Sequence, residues 1–357
     1  MGIRDGLRRL IEVRPSPRRW PIATGAAIAL AVPALAFTLA GEPALGLVAS
    51  NGAFLTLHLG DRPAAQRARR LPFVAAGLFA GAALAALAAP VPVLGTLVLA
   101  GIALAAAVLT LGYRAGPPGS VFFVMVPGII GSLVAPRSLG GAGDDPLVVL
   151  GVLAVGLAFA YLVVLAPLAL PAVRARSRDA GPPAPLRFAL TDESRIVLAR
   201  VAVAIVLATA VSIPLGLHRS YWVLVTVVAV LQSGVLRRLT ALRATHRILG
   251  TVLGAGIFLV LALAGPDGVL LVLALAALQY VVELLVVRHY GLALVFITPL
   301  ALLVAARAPG TDAPGLAAER IVDTGMGAAI AVLVLAVEFA LERRAARTGA
   351  DGHAPLS

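Results

Sequence analysis

Twelve apolar runs recur along this chain, most of them about 20 residues long, the length a helix needs to cross the hydrocarbon of a bilayer. They lie at approximately 20–40, 43–59, 71–89, 91–113, 120–135 and 146–170, then at 196–215, 220–236, 247–264, 268–287, 289–306 and 320–341. A water-soluble core cannot bury so much apolar chain: 60% of the 357 residues are apolar and only 13% are charged, about half the charged share of a globular domain. The expected fold class is all-α, a polytopic membrane protein of about 12 transmembrane helices in two parallel six-helix repeats. The first run exceeds the roughly 7–15 apolar residues of a signal peptide and more spans follow, so it reads as a first membrane helix.

The basic residues add up to 29, all Arg, and there are no Cys. Without Lys there is no Walker A loop, kinase strand lysine or Schiff base. Without Cys there are no disulfides, thiolate metal sites or iron-sulfur clusters. His58, His218, His246, His289 and His353 fall at no metal-ligand spacing. No hydrolytic or redox constellation is present, so no enzyme, cofactor or metal is expected. The net charge of +12 comes from short Arg clusters between apolar runs, which mark topology rather than nucleic-acid binding.

With the amino terminus inside, the cytoplasmic side collects Arg4, 8, 9, 14, 18, 19, 62, 67, 69, 70, 114, 174, 176, 178, 187, 195, 237, 238, 243, 247, 288, 343, 344 and 347. The opposite side holds Arg137, Arg219, Arg307 and Arg320, and Arg200 lies within a span. The positive-inside rule therefore predicts an inner-membrane protein with both termini cytoplasmic. The expected organisation is a six-span half at 1–170, a cytoplasmic Arg- and Pro-rich linker at 171–195, a second six-span half at 196–342 and a cytoplasmic tail at 343–357.

Two sequence features suggest that the halves repeat. Arg70 is followed by Gly77 and Gly81, and Arg247 by Gly250 and Gly254; small residues four apart let helices approach closely. The fifth and eleventh runs are short and broken by Pro127 and Pro299. Proline frees a carbonyl, and interrupted spans at matching positions in two halves point to a transport path. A packing kink is the alternative.

Polar residues inside apolar runs are the remaining site candidates. Arg200 would meet Glu283, Glu338 or both, and either Glu would carry a coupling proton; snorkelling to the interface is the plainer reading. Asp323 follows Arg320 by three residues, which an ion pair at the outer mouth explains. Asn51 and Gln232 would hydrogen-bond neighbouring helices. Tyr221 and Trp222 open the eighth run as an aromatic belt or as a wall for an aromatic substrate.

The stretch 218–258, with Tyr221-Trp222, Thr226, Gln232, Arg247-Ile248-Leu249-Gly250-Thr251 and Gly254, resembles the fusaric acid resistance protein-like family of bacterial membrane proteins. Tyr290 to Leu300, ending in Thr298-Pro299, is similar to a later span of that family. In the first half Pro43 and Val126-Pro127 stand where those elements would fall. The resemblance implies a proton-driven inner-membrane exporter of aromatic or other lipophilic organic anions. The spans are also similar to those of plant malate-activated-type anion channels, whose six-span subunits pair in parallel, so an anion channel is an alternative. A non-transporting scaffold for envelope proteins is another. A major facilitator signature is not matched, because Gly60 is adjacent to Asp61 and the Arg69-Arg70 pair is too distant.

In this reading the substrate path comprises Arg200, Tyr221, Trp222, Gln232, Arg247, Thr298, Pro299 and Pro127, with Arg200 or Arg247 attracting the carboxylate. Glu283 or Glu338 carries the proton. The expected partners are the lipid bilayer, a small organic anion, and a homo-oligomer or envelope protein.

Overall fold

The computed structural model describes residues 12–351 apart from 14, 17, 180–185, 217, 218, 233 and 307–311, with the side chains of 345–351 also left aside. Arg4, Arg8, Arg9, Arg14, Arg307, His218, His353 and the Arg347 side chain lie outside the described residues. Among the described residues every regular element is helical.

The first half contains α1 (Trp20–Leu39), α2 (Pro43–Ser50), α3 (Ala64–Ala88), α4 (Pro92–Gly112), α5 (Val121–Val134) and α6 (Pro146–Leu165). A short helix, α7 (Pro171–Asp179), follows. The second half contains α8 (Asp192–Ser212), α9 (Tyr221–Leu231), α10 (Arg237–Ala264), α11 (Gly268–Leu285), α12 (Tyr290–Ala305) and α13 (Ala313–Asp351). Eight of these helices are long and apolar enough to cross a membrane. Four apolar segments are shorter: Pro43–Leu57, α5, α9 and α12.

Local chemistry explains the helix ends. Proline occupies the first turn of α1, α2, α4 and α6, where its missing N–H is not needed. The Asp145 side chain accepts from the amides of Leu147 and Val148, and Thr191 accepts from Ser194, capping α6 and α8. Gly265, at φ +58, closes α10 in the left-handed conformation. The second apolar run changes geometry midway, from α-helix to a 3-10 helix at Asn51–Leu57. There the Asn51 side-chain amide donates to the Leu47 and Val48 carbonyls, and Ser50 Oγ donates to Leu47. Asn51 thus bonds its own helix rather than a neighbour, and these back-bonds favour the tighter turn.

Several helices outrun their apolar segments. α3 starts at Ala64, α10 at Arg237 and α13 at Ala313, and α13 continues through 343 without a break. Hydropathy marks only the apolar stretch, while the flanking Ala, Arg, Leu and Glu are good helix formers. The region expected to be a linker is helical at α7, and α8 begins at Asp192.

Within the first half α3 packs on α5 and α6, α1 packs on α2 and α6, and the 3-10 segment packs on α6. Within the second half α10 packs on α12 and α13, α8 packs on α9 and α13, and α9 packs on α13. Between halves α1 packs on α11, α4 on α8 and α5 on α9.

Glycines make the closest of these contacts possible. A methyl group at Gly254 would stand 2.7 Å from Thr298 Cβ and 2.8 Å from the Val295 carbonyl oxygen. That carbonyl has lost its helical donor to Pro299. One at Gly81 would stand 3.0 Å from Pro127 Cγ. A methyl group at Gly52 would run into the Gly156 backbone, and one at Gly156 into the Ala49 carbonyl.

Candidate functional site

A cavity of about 1270 Å³ lies where the halves meet, and all four shorter apolar segments contribute to its wall. The first half gives it a largely apolar side, including Leu47, Phe54, Phe122, Met125 and Val149. Phe54 and Phe122 stack there at 4.5 Å. The second half gives it aromatic and cationic side chains from α9, α10, α12 and α13.

Trp222, 3% exposed, is the centre of that second wall. Its ring carries two guanidiniums, Arg320 at 4.8 Å and Arg219 at 5.6 Å. Tyr221 meets it edge-on at 5.6 Å. Cation–π contact suits a guanidinium in a poorly hydrated site. Arg219 is neutralised by Glu319 at 2.6 Å.

Arg320 is different. It is 3% exposed, lines the cavity, and its Nε and Nη1 have no hydrogen-bond partner. It makes no ion pair with Asp323 within 4 Å, so the pairing expected from their spacing is absent. Asp323 is itself 1% exposed, and its Oδ2 lacks a partner among the described residues. The reason is where α13 begins: a start at Ala313 puts both residues two turns inside the helix, not at a solvated mouth.

Arg247 is held in place by hydrogen bonds. Its Nε donates to Thr226 Oγ1 at 3.1 Å and its Nη1 to Tyr290 Oη at 2.8 Å. Thr226 in turn donates to the Trp222 carbonyl at 2.8 Å. Arg243, one turn away on α10, lies 5.0 Å from the Tyr290 ring. Arg247 is 5% exposed, so it belongs to the bundle interior and not to the cytoplasmic Arg count.

Gln232 ties the halves together at the end of α9. Its Oε1 accepts from the Ser120 amide at 3.0 Å and its Nε2 donates to Ser120 Oγ at 2.7 Å.

Of the residues expected on the path, Tyr221, Trp222, Gln232, Arg247 and Glu283 line the cavity, while Arg200, Pro127, Thr298, Pro299 and Glu338 do not. Arg200 grips Glu338 with two hydrogen bonds, at 2.9 and 3.0 Å, and donates to the Val235 carbonyl at 2.9 Å. Pro127 packs on Gly81 and Thr298 on Gly254, so the proline breaks face helix contacts rather than open space. Glu283 does not meet Arg200; it pairs with Arg19 at 3.2 Å and accepts from Gln279 at 3.3 Å.

Sequence reasoning missed Arg320 as an interior residue and passed over Arg243 and the Tyr290 hydroxyl. For Arg320 the available signal was Ala313 to Glu319, with Pro314 in the first turn and the good helix formers Leu316, Ala317, Ala318 and Glu319 leading up to it.

Residues 199–334 match the family model described as fusaric acid resistance protein-like. An uncharacterized membrane protein, YvaC, of Bacillus subtilis (strain 168) is 32% identical over 151 residues, which is 42% of this chain and 24% of that protein. The chain thus spans about a quarter of the length of the curated relative it matches. No solved structure matches the chain.

Proposed function

We propose that this protein carries lipophilic organic anions, aromatic carboxylates among them, across the inner membrane through the cavity between its halves. The observation that carries the reading is the wall of that cavity: Arg247 and Arg320, both buried, face a space otherwise lined largely by apolar groups. Two desolvated cations attract one anionic group strongly, and the apolar first-half wall suits the rest of such a molecule. The family match fits a membrane transporter. Export from the cytoplasm, with both termini inside, is the direction and topology of this proposal, and no enzymatic step belongs to it. A homo-oligomer or an envelope protein remains a proposed partner.

The proposed architecture is twelve spans in two parallel repeats. Its support is the paired packing: α3 on α5 matches α10 on α12, and α1 on α11 matches α4 on α8. The contacts of Gly77 with Phe123 and Gly81 with Pro127 parallel those of Gly250 with Leu294 and Gly254 with Thr298. That register pairs Arg70 with Arg243, one turn from the Arg247 suggested by sequence spacing. Arg247 then corresponds to Val74, so the first half has no counterpart of that buried guanidinium.

Of the two glutamates expected to carry a proton, Glu283 lines the cavity in a pair with Arg19 and is retained in this proposal, whereas Glu338 is held by Arg200 away from the cavity wall. The test is flux of a panel of aromatic acids into and out of proteoliposomes, with and without a pH gradient. Flux of carboxylates but not of their amides supports the carrier. Current without any proton requirement would replace it with an anion channel, and silence across the panel with a scaffold.

A further inference from the structure

We propose that Arg320 and Asp323 form a proton-linked anion site, in which an organic carboxylate settles on Arg320 only as Asp323 takes up a proton. The inference deepens the carrier reading and rests on it for the identity of the anion.

Two groups of opposite charge, neither with an ion-pair partner among the described residues, stand one turn apart on α13. Arg320 is buried, opens onto the cavity and has two unused N–H donors. Asp323 is more deeply buried, off the cavity wall, with an unused carboxylate oxygen. A buried cation and a buried carboxylate each need a counter-charge or neutralisation. The nearby charges do not supply one. On α13 itself Glu319 is committed to Arg219 at 2.6 Å. On α9 the facing titratable group is Tyr221, which is neutral as a phenol. On α10 it is Arg247, another cation, bonded to Thr226 and to Tyr290 of α12. From α8 the buried Arg200 is committed to Glu338.

Arg320 can therefore be satisfied in two ways. In one, ionised Asp323 swings toward it as an i,i+3 pair. In the other, a carboxylate in the cavity engages Arg320, and Asp323, buried off the cavity wall with no ion-pair partner among the described residues, takes up a proton. The step from the first to the second takes up one proton from water and one anion from the cytoplasm, leaving the charge of the protein unchanged. The loaded site is electrically silent. Transport through it moves the acid as anion plus proton, outward whenever the acid is made inside, and does not exchange anion for proton.

The experiment uses the full chain in nanodiscs with Trp20→Phe, a substitution at an exposed residue of α1, so that Trp222 is the sole tryptophan and reports on Arg320 directly. Cyclohexanecarboxylate, which does not absorb, is titrated from pH 6 to 9 with cyclohexanecarboxamide as control. The expected result is quenching or shift of Trp222 emission by the carboxylate alone. Its Kd should rise about tenfold per pH unit above the Asp323 pKa, with about one proton taken up per anion in weak buffer. Asp323→Asn keeps the low-pH affinity at every pH, and Arg320→Gln weakens binding at least about tenfold.

A pH-independent Kd in the parent protein, or a slope that persists in Asp323→Asn, overturns the proton link. Amide binding as tight as carboxylate binding overturns the role of Arg320. The proton-uptake measurement needs no variant at Arg320 or Asp323, so misfolding of either leaves the test intact. Proton-linked binding without flux in proteoliposomes sinks the carrier reading and spares this site; flux without proton-linked binding does the reverse.

Discussion

Trp222, Thr226 and Arg247 form a chain of contacts in which each side chain orients the next: Thr226 is fixed by the Trp222 carbonyl, and Arg247 by Thr226 and Tyr290. A guanidinium positioned in that way costs less to engage than a mobile one. Arg200 shows how differently the same residue type acts a few ångströms off the cavity. Its three hydrogen bonds, two to Glu338 and one to Val235, leave it a structural clamp between α8, α13 and the turn before α10. Arg200→Ala removes the closer of two guanidiniums paired with a partly buried carboxylate and is expected to destabilise the fold by roughly 1–3 kcal/mol. A thermal melt of the purified variant checks that, and flux per folded molecule should stay near the parent value. A large loss of flux with an unchanged melt would return Arg200 to the path.

At the scale of elements, the helix interfaces depend on absent side chains. In a bilayer there is little hydrophobic drive between helices, so close packing of backbones holds them together. Gly254 on α10 faces Thr298 and the Val295 carbonyl of α12, whereas Gly256, two residues on, faces nothing within 4 Å. Gly254→Val is expected to force α10 and α12 apart, costing about 1–3 kcal/mol, while Gly256→Val is expected to be neutral. Comparing folded yield and melting temperature of the two variants reads this out. The twelve apolar helical segments, their order and the brevity of the fifth and eleventh were legible in the sequence, because hydropathy and proline act locally. The extent of α13 was not, since polar helix formers continue a helix that hydropathy ends. Nor was the choice of partner for each buried charge: Glu283 reaches Arg19, more than 260 residues away in the chain, and no spacing rule encodes such a pair. Tyr221, Trp222 and Arg247 were legible as a group because they lie within 27 positions on two consecutive helices.

For the whole molecule, the seams between halves run α1 to α11 and α4 to α8, with α5 against α9 closing the side next to Gln232 and Ser120. If the two halves are parallel repeats, both ends of the chain emerge on one side. Fusing reporters that work only in the cytoplasm or only outside it to each terminus is expected to give cytoplasmic signal at both. Opposite locations would exclude the parallel arrangement and, with it, the equivalence of the two seams.

Helix α13 holds Arg320 in its third turn and Glu338 eighteen residues further on, within an uninterrupted run of 39 residues. At 1.5 Å per residue that rod is about 58 Å long, nearly twice the depth of the hydrocarbon layer. A continuous helix of that length moves largely as one piece when a guest enters at one face. A tilt that widens the space beside Arg320 also moves the segment eighteen residues on, so the clasp of Glu338 with Arg200 and Arg237 would register whether the berth is filled.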